Sequence, residues 1–247
     1  AEAVEAYIHN NLAPIVLGLS ALDIGAIHNL TRPYIGFVGA SLEMRARSAL
    51  DIALWDALGK VANQPLSVML GGRIRENIRI YNTCAGSRYA RGPKVGMIDN
   101  YGIQAPAGTE QFEDLHLFLN DPVSLAGSLL DMGIDSMKIW PFDFAAKETQ
   151  GQFISPVELK KALGPFELIK NKYGDRMQIS AELHGEWNLP ESLVICHELD
   201  EIGVRWIEDP IMLTNTTGIK ELKRSVRSRL AIGETRGGAQ DFKSFLD

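Results

Sequence analysis

Cysteine is nearly absent from this chain of 247 residues: only Cys84 and Cys196 occur, in no paired spacing. That excludes a disulfide framework or a cysteine-built zinc site and leaves both thiols as expected reduced core residues. Long apolar runs are also missing. No stretch reaches the roughly 18 residues of a membrane-spanning helix. The opening AEAVEAYIHNNLAP lacks the basic-then-apolar order of a secretion signal. A cytoplasmic protein with no membrane partner is therefore expected. Positive charge is scarce as well. A formal net charge of -6, with no stripe of Lys and Arg, argues against a nucleic-acid partner, whose phosphates need clustered cations. The most cationic stretch, KELKRSVRSR from Lys220 to Arg229, has the mixed spacing of a solvated outer helix.

What remains is an ordinary globular composition, 45% hydrophobic and 23% charged, able to bury a substantial core. Within it Glu182, Glu208 and Glu234 stand 26 residues apart, each closing a short apolar run: MQISAEL, VRWIE and LAIGE. One strand, one return helix and two loops need about that length in a parallel βα repeat. Equivalent positions on neighbouring strands then converge. A strand-end carboxylate taken alone is usually only solvated, but three at one interval predict a hard, all-oxygen site suited to Mg²⁺.

Elsewhere the apolar periodicity predicts a helix over 41–60 with Ser41 as its cap, punctuated by Gly59 and Pro65 and turned by Gly71-Gly72. Helices that open on a proline are predicted over 156–172 and 190–202. Strands are expected at IRIYNTC (Ile78 to Cys84) and SMKIW (Ser136 to Trp140), ahead of the three that end in glutamate. Between Cys84 and that second strand runs a long irregular segment, where Arg88, Tyr89 and Arg91 are candidates to meet a substrate carboxylate.

The strings AELHG, WIEDP and IGET, together with ASLEMRARSALDIALWDALGKVANQPLSVMLGG from Ala40 to Gly72, resemble the enolase superfamily. Within it they are most similar to the mandelate racemase and muconate lactonizing enzyme group. That resemblance implies an α/β chain with a (β/α)8 barrel whose third, fourth and fifth strands end in the metal carboxylates Glu182, Glu208 and Glu234. It also implies Mg²⁺ as cofactor, a small-molecule carboxylate as substrate and a homo-oligomeric assembly. About five of eight strands are expected here, so the chain reads as an incomplete view of a longer enzyme. Residues 1–72 would be the remnant of an N-terminal α+β capping domain with the helical lead-in, and residues 73–247 the first part of the barrel.

The same resemblance implies proton abstraction beside a carboxylate, with metal and a neighbouring cation taking up the enediolate charge. Lys138, in MKIWPFD, matches the first lysine of the family's Lys-x-Lys motif. The second lysine is replaced by Trp140, which cannot accept a carbon-bound proton and is left with shape and apolar contact. His184 lies two residues past Glu182 and matches the acidic-x-His pattern of acid-sugar dehydratases, where the histidine protonates a departing hydroxyl. The base would be a His-Asp dyad that the family carries on its sixth and seventh strands. Dehydration of a sugar acid to a 2-keto-3-deoxy acid is the reading this favours; a hydroxy-acid racemase or epimerase, or a non-catalytic relative binding metal and carboxylate, are the alternatives. Arg236 is a further candidate for the substrate pocket. Asp209 is a candidate to orient the metal ligands, and nothing in the sequence decides where Asp143 and Glu186 point.

Overall fold

The computed structural model describes residues 2–32, 41–86 and 113–246. They fall into two compact units: Ala1–Ile78 with Glu234–Asp247, and Arg79–Gly233. Among the described residues no helix is long and apolar enough to cross a membrane.

The first unit is helical. It contains α1 (Glu2–Tyr7), one π-helical turn (Ile8–Leu12), α2 (Ala13–Val16), α3 (Ile24–Leu30), α4 (Leu42–Val61), α5 (Leu66–Met69) and a last helix over Ala239–Leu246. The capping expected at Ser41 is present: its side chain accepts from the Met44 N–H at 3.4 Å, satisfying one of the free donors that open α4. Ile24, Ile27 and Leu54 form a small core with Leu50, Trp55 and Leu58 packed around it. The Arg47 guanidinium donates to the His28 carbonyl at 3.0 Å, so α4 holds the end of α3 by a polar as well as an apolar contact.

The second unit alternates helix and strand: α6 (Asp114–Asn120), α7 (Pro122–Asp131), β1 (Ser136–Ile139), α8 (Asp143–Thr149), α9 (Pro156–Tyr173), β2 (Gln178–Glu182), α10 (Leu189–Ile202), β3 (Trp206–Glu208), α11 (Thr216–Ser225) and β4 (Arg229–Ala231). The strands form one parallel sheet in the order β1-β2-β3-β4. Successive side chains of a strand face opposite ways. Met137, Ile139, Ile179, Ala181 and Ile207 therefore share one face, and all are buried. Lys138, Ser180, Glu182 and Glu208 share the other.

Local chemistry sets the helix ends. Ser155 and Glu158 form a capping box ahead of α9, each side chain accepting from the other's backbone N–H, with Pro156 at the first helical position. The Asn188 side chain caps α10 at 2.9 Å from the Glu191 N–H, and Gly203, at φ +80, ends it. The stretch KELKRSVRSR is helical only as far as Ser225; Arg229 at its end opens β4.

One expected strand is largely absent. Ile78 to Cys84 contributes a single bridge, Asn82 to Met137, instead of a run. Asn82 donates its N–H to the Ser136 carbonyl at 2.9 Å and accepts from Lys138 N–H at 2.8 Å. The chain then folds back, because the Asn82 side chain accepts from the Cys84 N–H at 2.7 Å and Cys84 takes a left-handed backbone, φ +53. Four strands, not five, make up the sheet among the described residues.

Candidate functional site

Parallel strands align their C-terminal ends, and here that places charged side chains together. Glu182 and Glu208 are register partners at the ends of β2 and β3. Lys138, one strand further along, reaches both: its Nζ lies 2.6 Å from Glu182 Oε2 and 2.8 Å from Glu208 Oε2. All three are largely withdrawn from water, with side chains 7%, 3% and 16% exposed for Lys138, Glu182 and Glu208. Burial works against the Lys138 charge, but Glu182 and Glu208 outweigh it and hold the ammonium's pKa above its usual value. Burial pushes the Glu182 carboxyl up, against the pull of His184 and Lys138. The Trp206 indole also donates to Glu208 Oε2 at 3.4 Å. Tyr81 packs edge-on against Trp206 at 5.0 Å and lies 5.9 Å from the Lys138 ammonium, so an aromatic pair flanks the ion cluster. Neither ring was singled out by sequence, although Trp206 shares the face of Glu208 by simple alternation.

Past the strand end the chain makes a tight, strained turn. His184 and Gly185 take left-handed backbone, φ +50 and +68. The His184 N–H donates to Glu182 Oε1 at 3.1 Å, and the Gly185 N–H to the Asp209 carbonyl at 2.6 Å. Asp209 itself has φ +38 and donates its N–H to Ala231, so its backbone stitches this turn to β4. The His184 ring is 6% exposed, and its Nδ1 lies 2.9 Å from Oδ2 of the fully buried Asp143. Burial disfavours the imidazolium, yet the bond to Asp143 and the charges of Asp143, Glu182 and Glu186 together outweigh it and raise the His184 pKa; burial also raises that of Asp143, against the bond from His184.

Trp140 is 1% exposed, between Phe118 at 5.2 Å and His184 at 5.8 Å. It is a wall against which the histidine ring rests. Glu186 stands beside Asp143, and burial with that neighbouring carboxylate pushes its pKa from 4.5 up to about 7. The fold therefore favours its protonated form: that contribution is complete below the ordinary value and lost as pH rises through about 7. Glu186→Gln is expected to leave stability unchanged in acid and to raise it above neutrality, which melting curves taken on both sides of that window check.

The structure brings Glu182 and Glu208 together at adjacent strand ends. Glu208 pairs with Ala231 of β4, and Glu234 follows that strand in sequence. Equal spacing in sequence is not equal register, because the second βα step uses fewer residues than the first. Glu234 belongs to the helical unit, where with Arg236 it lines a cavity of about 680 Å³ against Val4, His9, Met44 and Arg45. Arg236 lies over the Phe245 ring at 5.7 Å. Among the described residues no group of three or more His, Cys, Asp or Glu side chains is arranged to hold a metal ion. Arg88, Tyr89 and Arg91 lie outside the described residues. Asp143, which the sequence left undecided, is the residue most clearly missed; its bond to His184 depends on a loop path that no local pattern encodes.

A cation nonetheless suits what is present. Glu182 and Glu208 already share one positive charge, carried by an ammonium, and both offer only oxygen, the donor a hard divalent ion prefers.

Residues 1–71 match the Mandelate racemase / muconate lactonizing enzyme, N-terminal domain family, and residues 122–247 the Enolase C-terminal domain-like family. A solved enolase of the mandelate racemase subgroup from Agrobacterium tumefaciens is 36% identical with a TM-score of 0.80, over 100% of this chain and 57% of that one. An enolase protein from Sargasso Sea environmental sequence is 37% identical with a TM-score of 0.78, over 98% and 57%. A D-mannonate dehydratase from Xanthomonas oryzae pv. oryzicola is 26% identical over 99% of this chain and 56% of its own length. The chain thus spans a little over half the length of these relatives. With both family patterns matched in order and the parallel sheet in place, the chain belongs to the enolase superfamily, in its mandelate racemase and muconate lactonizing enzyme group.

Proposed function

We propose that this chain supplies part of an active site for Mg²⁺-assisted dehydration of a sugar acid to a 2-keto-3-deoxy acid. The observation that carries this reading is the Lys138 ammonium held between Glu182 and Glu208, with the buried His184–Asp143 pair two residues further on. Similarity to D-mannonate dehydratases supports the substrate class. Glu182 and Glu208 would hold the metal, with Glu234 as the third ligand that the family motif implies. When bound, the ion would supply charge uptake on the substrate carboxylate as the α-proton leaves.

The chain's own groups divide the remaining tasks. Lys138 adds a fixed positive charge near that carboxylate and stays protonated, because its neighbours favour the ammonium. His184 protonates the departing hydroxyl. Trp140 occupies the place of a second lysine and keeps water from one side of the histidine ring. A racemase needs a base on each face of the substrate; replacing that lysine by an indole favours elimination.

The test is turnover of a sugar-acid panel, D-mannonate included, by the full-length protein with Mg²⁺, reading 2-keto-3-deoxy products. Product formation is expected to require Glu208, by Glu208→Gln, and to fall on the order of 10²-fold in His184→Asn. Solvent deuterium entering the α-carbon without keto product would replace dehydration by epimerisation. Neither signal from any acid would overturn both.

A further inference from the structure

We propose that Asp143 is a positioning residue that fixes the His184 ring, committing Nδ1 to its own carboxylate so that proton exchange with substrate runs through Nε2. The proposal rests on the dehydration reading for its kinetic consequence and on geometry alone for its structural one. Asp143 comes from α8, after β1, and His184 from the turn after β2, so the contact joins two separate βα loops. The carboxylate is fully buried and the ring nearly so, and Oδ2 lies 2.9 Å from Nδ1. A carboxylate at that distance requires a proton between the two atoms. Three further features restrain the residue. Its backbone is tied to Glu182 at 3.1 Å, its turn is fixed in the left-handed region, and the Trp140 indole meets it edge-on at 5.8 Å.

The chemical consequence follows from the arrangement of protons. When His184 gives its Nε2 proton to the leaving hydroxyl, the C–O bond breaks and water departs. The ring is left neutral with Nδ1–H still donated to Asp143. A free neutral imidazole favours the opposite tautomer, with the proton on Nε2. Asp143 therefore selects the form that must exist directly after proton donation, the same orienting task that a buried carboxylate performs for a catalytic histidine elsewhere.

Nitrogen-15 NMR of the histidine ring in the full-length protein tests this, with His184→Asn used to assign the signal. The neutral wild-type ring is expected to carry its proton on Nδ1, and Asp143→Ala to move it to Nε2. In the same variant kcat on the active sugar acid should fall on the order of 10- to 100-fold with little change in KM. Asp143→Asn, whose amide oxygen still accepts from Nδ1, should recover part of that loss. A wild-type Nε2–H form, or an Asp143→Ala ring with unchanged tautomer, overturns the proposal. Should Asp143→Ala fail to fold, the wild-type spectrum alone decides it. An Nδ1–H ring in a protein that dehydrates no sugar acid upholds the positioning and overturns the dehydration reading.

Discussion

Lys138→Met is expected to lower turnover on the order of 10²–10³-fold and to destabilise the metal-free protein by about 3–5 kcal/mol, the usual range when one partner of a buried ion pair is removed. The reason is asymmetry. The ammonium neutralises two carboxylates at 2.6 and 2.8 Å, and the methionine leaves both at a strand end where Glu182 is only 3% exposed. Millimolar Mg²⁺ should restore part of the lost melting temperature, and more of it than in the wild type, because the vacated charge is the one a divalent ion supplies. On the proposed reading turnover should not return with the stability, since the charge that would stand beside the substrate carboxylate is gone; an effect of roughly 10²–10³-fold is typical for one such group. Melting curves with Mg²⁺ and with a chelator separate the two effects. A variant as stable as the wild type in chelator would mean that Glu182 settles as a neutral acid without Lys138.

Gly151→Ala comes second in expected effect. A Cβ built at Gly151 would stand 1.8 Å from the Glu186 carbonyl oxygen and 3.0 Å from Trp187 Cα, against backbone that cannot swing aside as a side chain does. Its φ of +67 adds the ordinary left-handed penalty, about 1 kcal/mol. Gly151 also accepts the Asn188 N–H at 3.0 Å, so any shift that relieves the clash pulls on the loop running from His184 to Asn188. A loss of about 3 kcal/mol or more is expected. Activity should fall further than stability alone requires, because a displacement of about 1 Å at a catalytic group can lose 10²-fold in rate. Gly203→Ala is the control. That glycine has φ +80 but nothing within 4 Å of the built Cβ, so it should show the backbone penalty alone.

Most of the second unit was legible from spacing. The run ending in Glu182 and that ending in Glu208 are strands, and the proline-opened helices lie where their caps put them, because capping and alternation are local interactions that residues a few positions apart decide. One reading failed where the outcome depended on distant partners. The run IRIYNTC has strand composition, yet Ile78 and Ile80 remain exposed and Asn82 diverts the chain with its own side chain. The run LAIGE does pair as a strand, though only as far as Ala231. In the site, Glu182, Glu208, Lys138 and His184 were marked by motif and by strand end. Asp143 and Tyr81 were not, since each meets its partner across loops whose path is set by tertiary packing.

The left-handed turn at position 184 also restricts what sequence drift can do there. Few side chains occupy φ near +50 without strain; glycine, asparagine, aspartate and histidine do so most readily, and β-branched residues pay heavily. A lineage that abandons the imidazole can therefore keep its fold by passing to Asn, Asp or Gly, whereas a route through Val, Ile or Thr would break the turn before any new chemistry was acquired. A saturation library at this codon should accordingly yield a small, well-folded and inactive class alongside a larger, poorly expressed one, and the boundary between them should follow backbone tolerance instead of polarity or size.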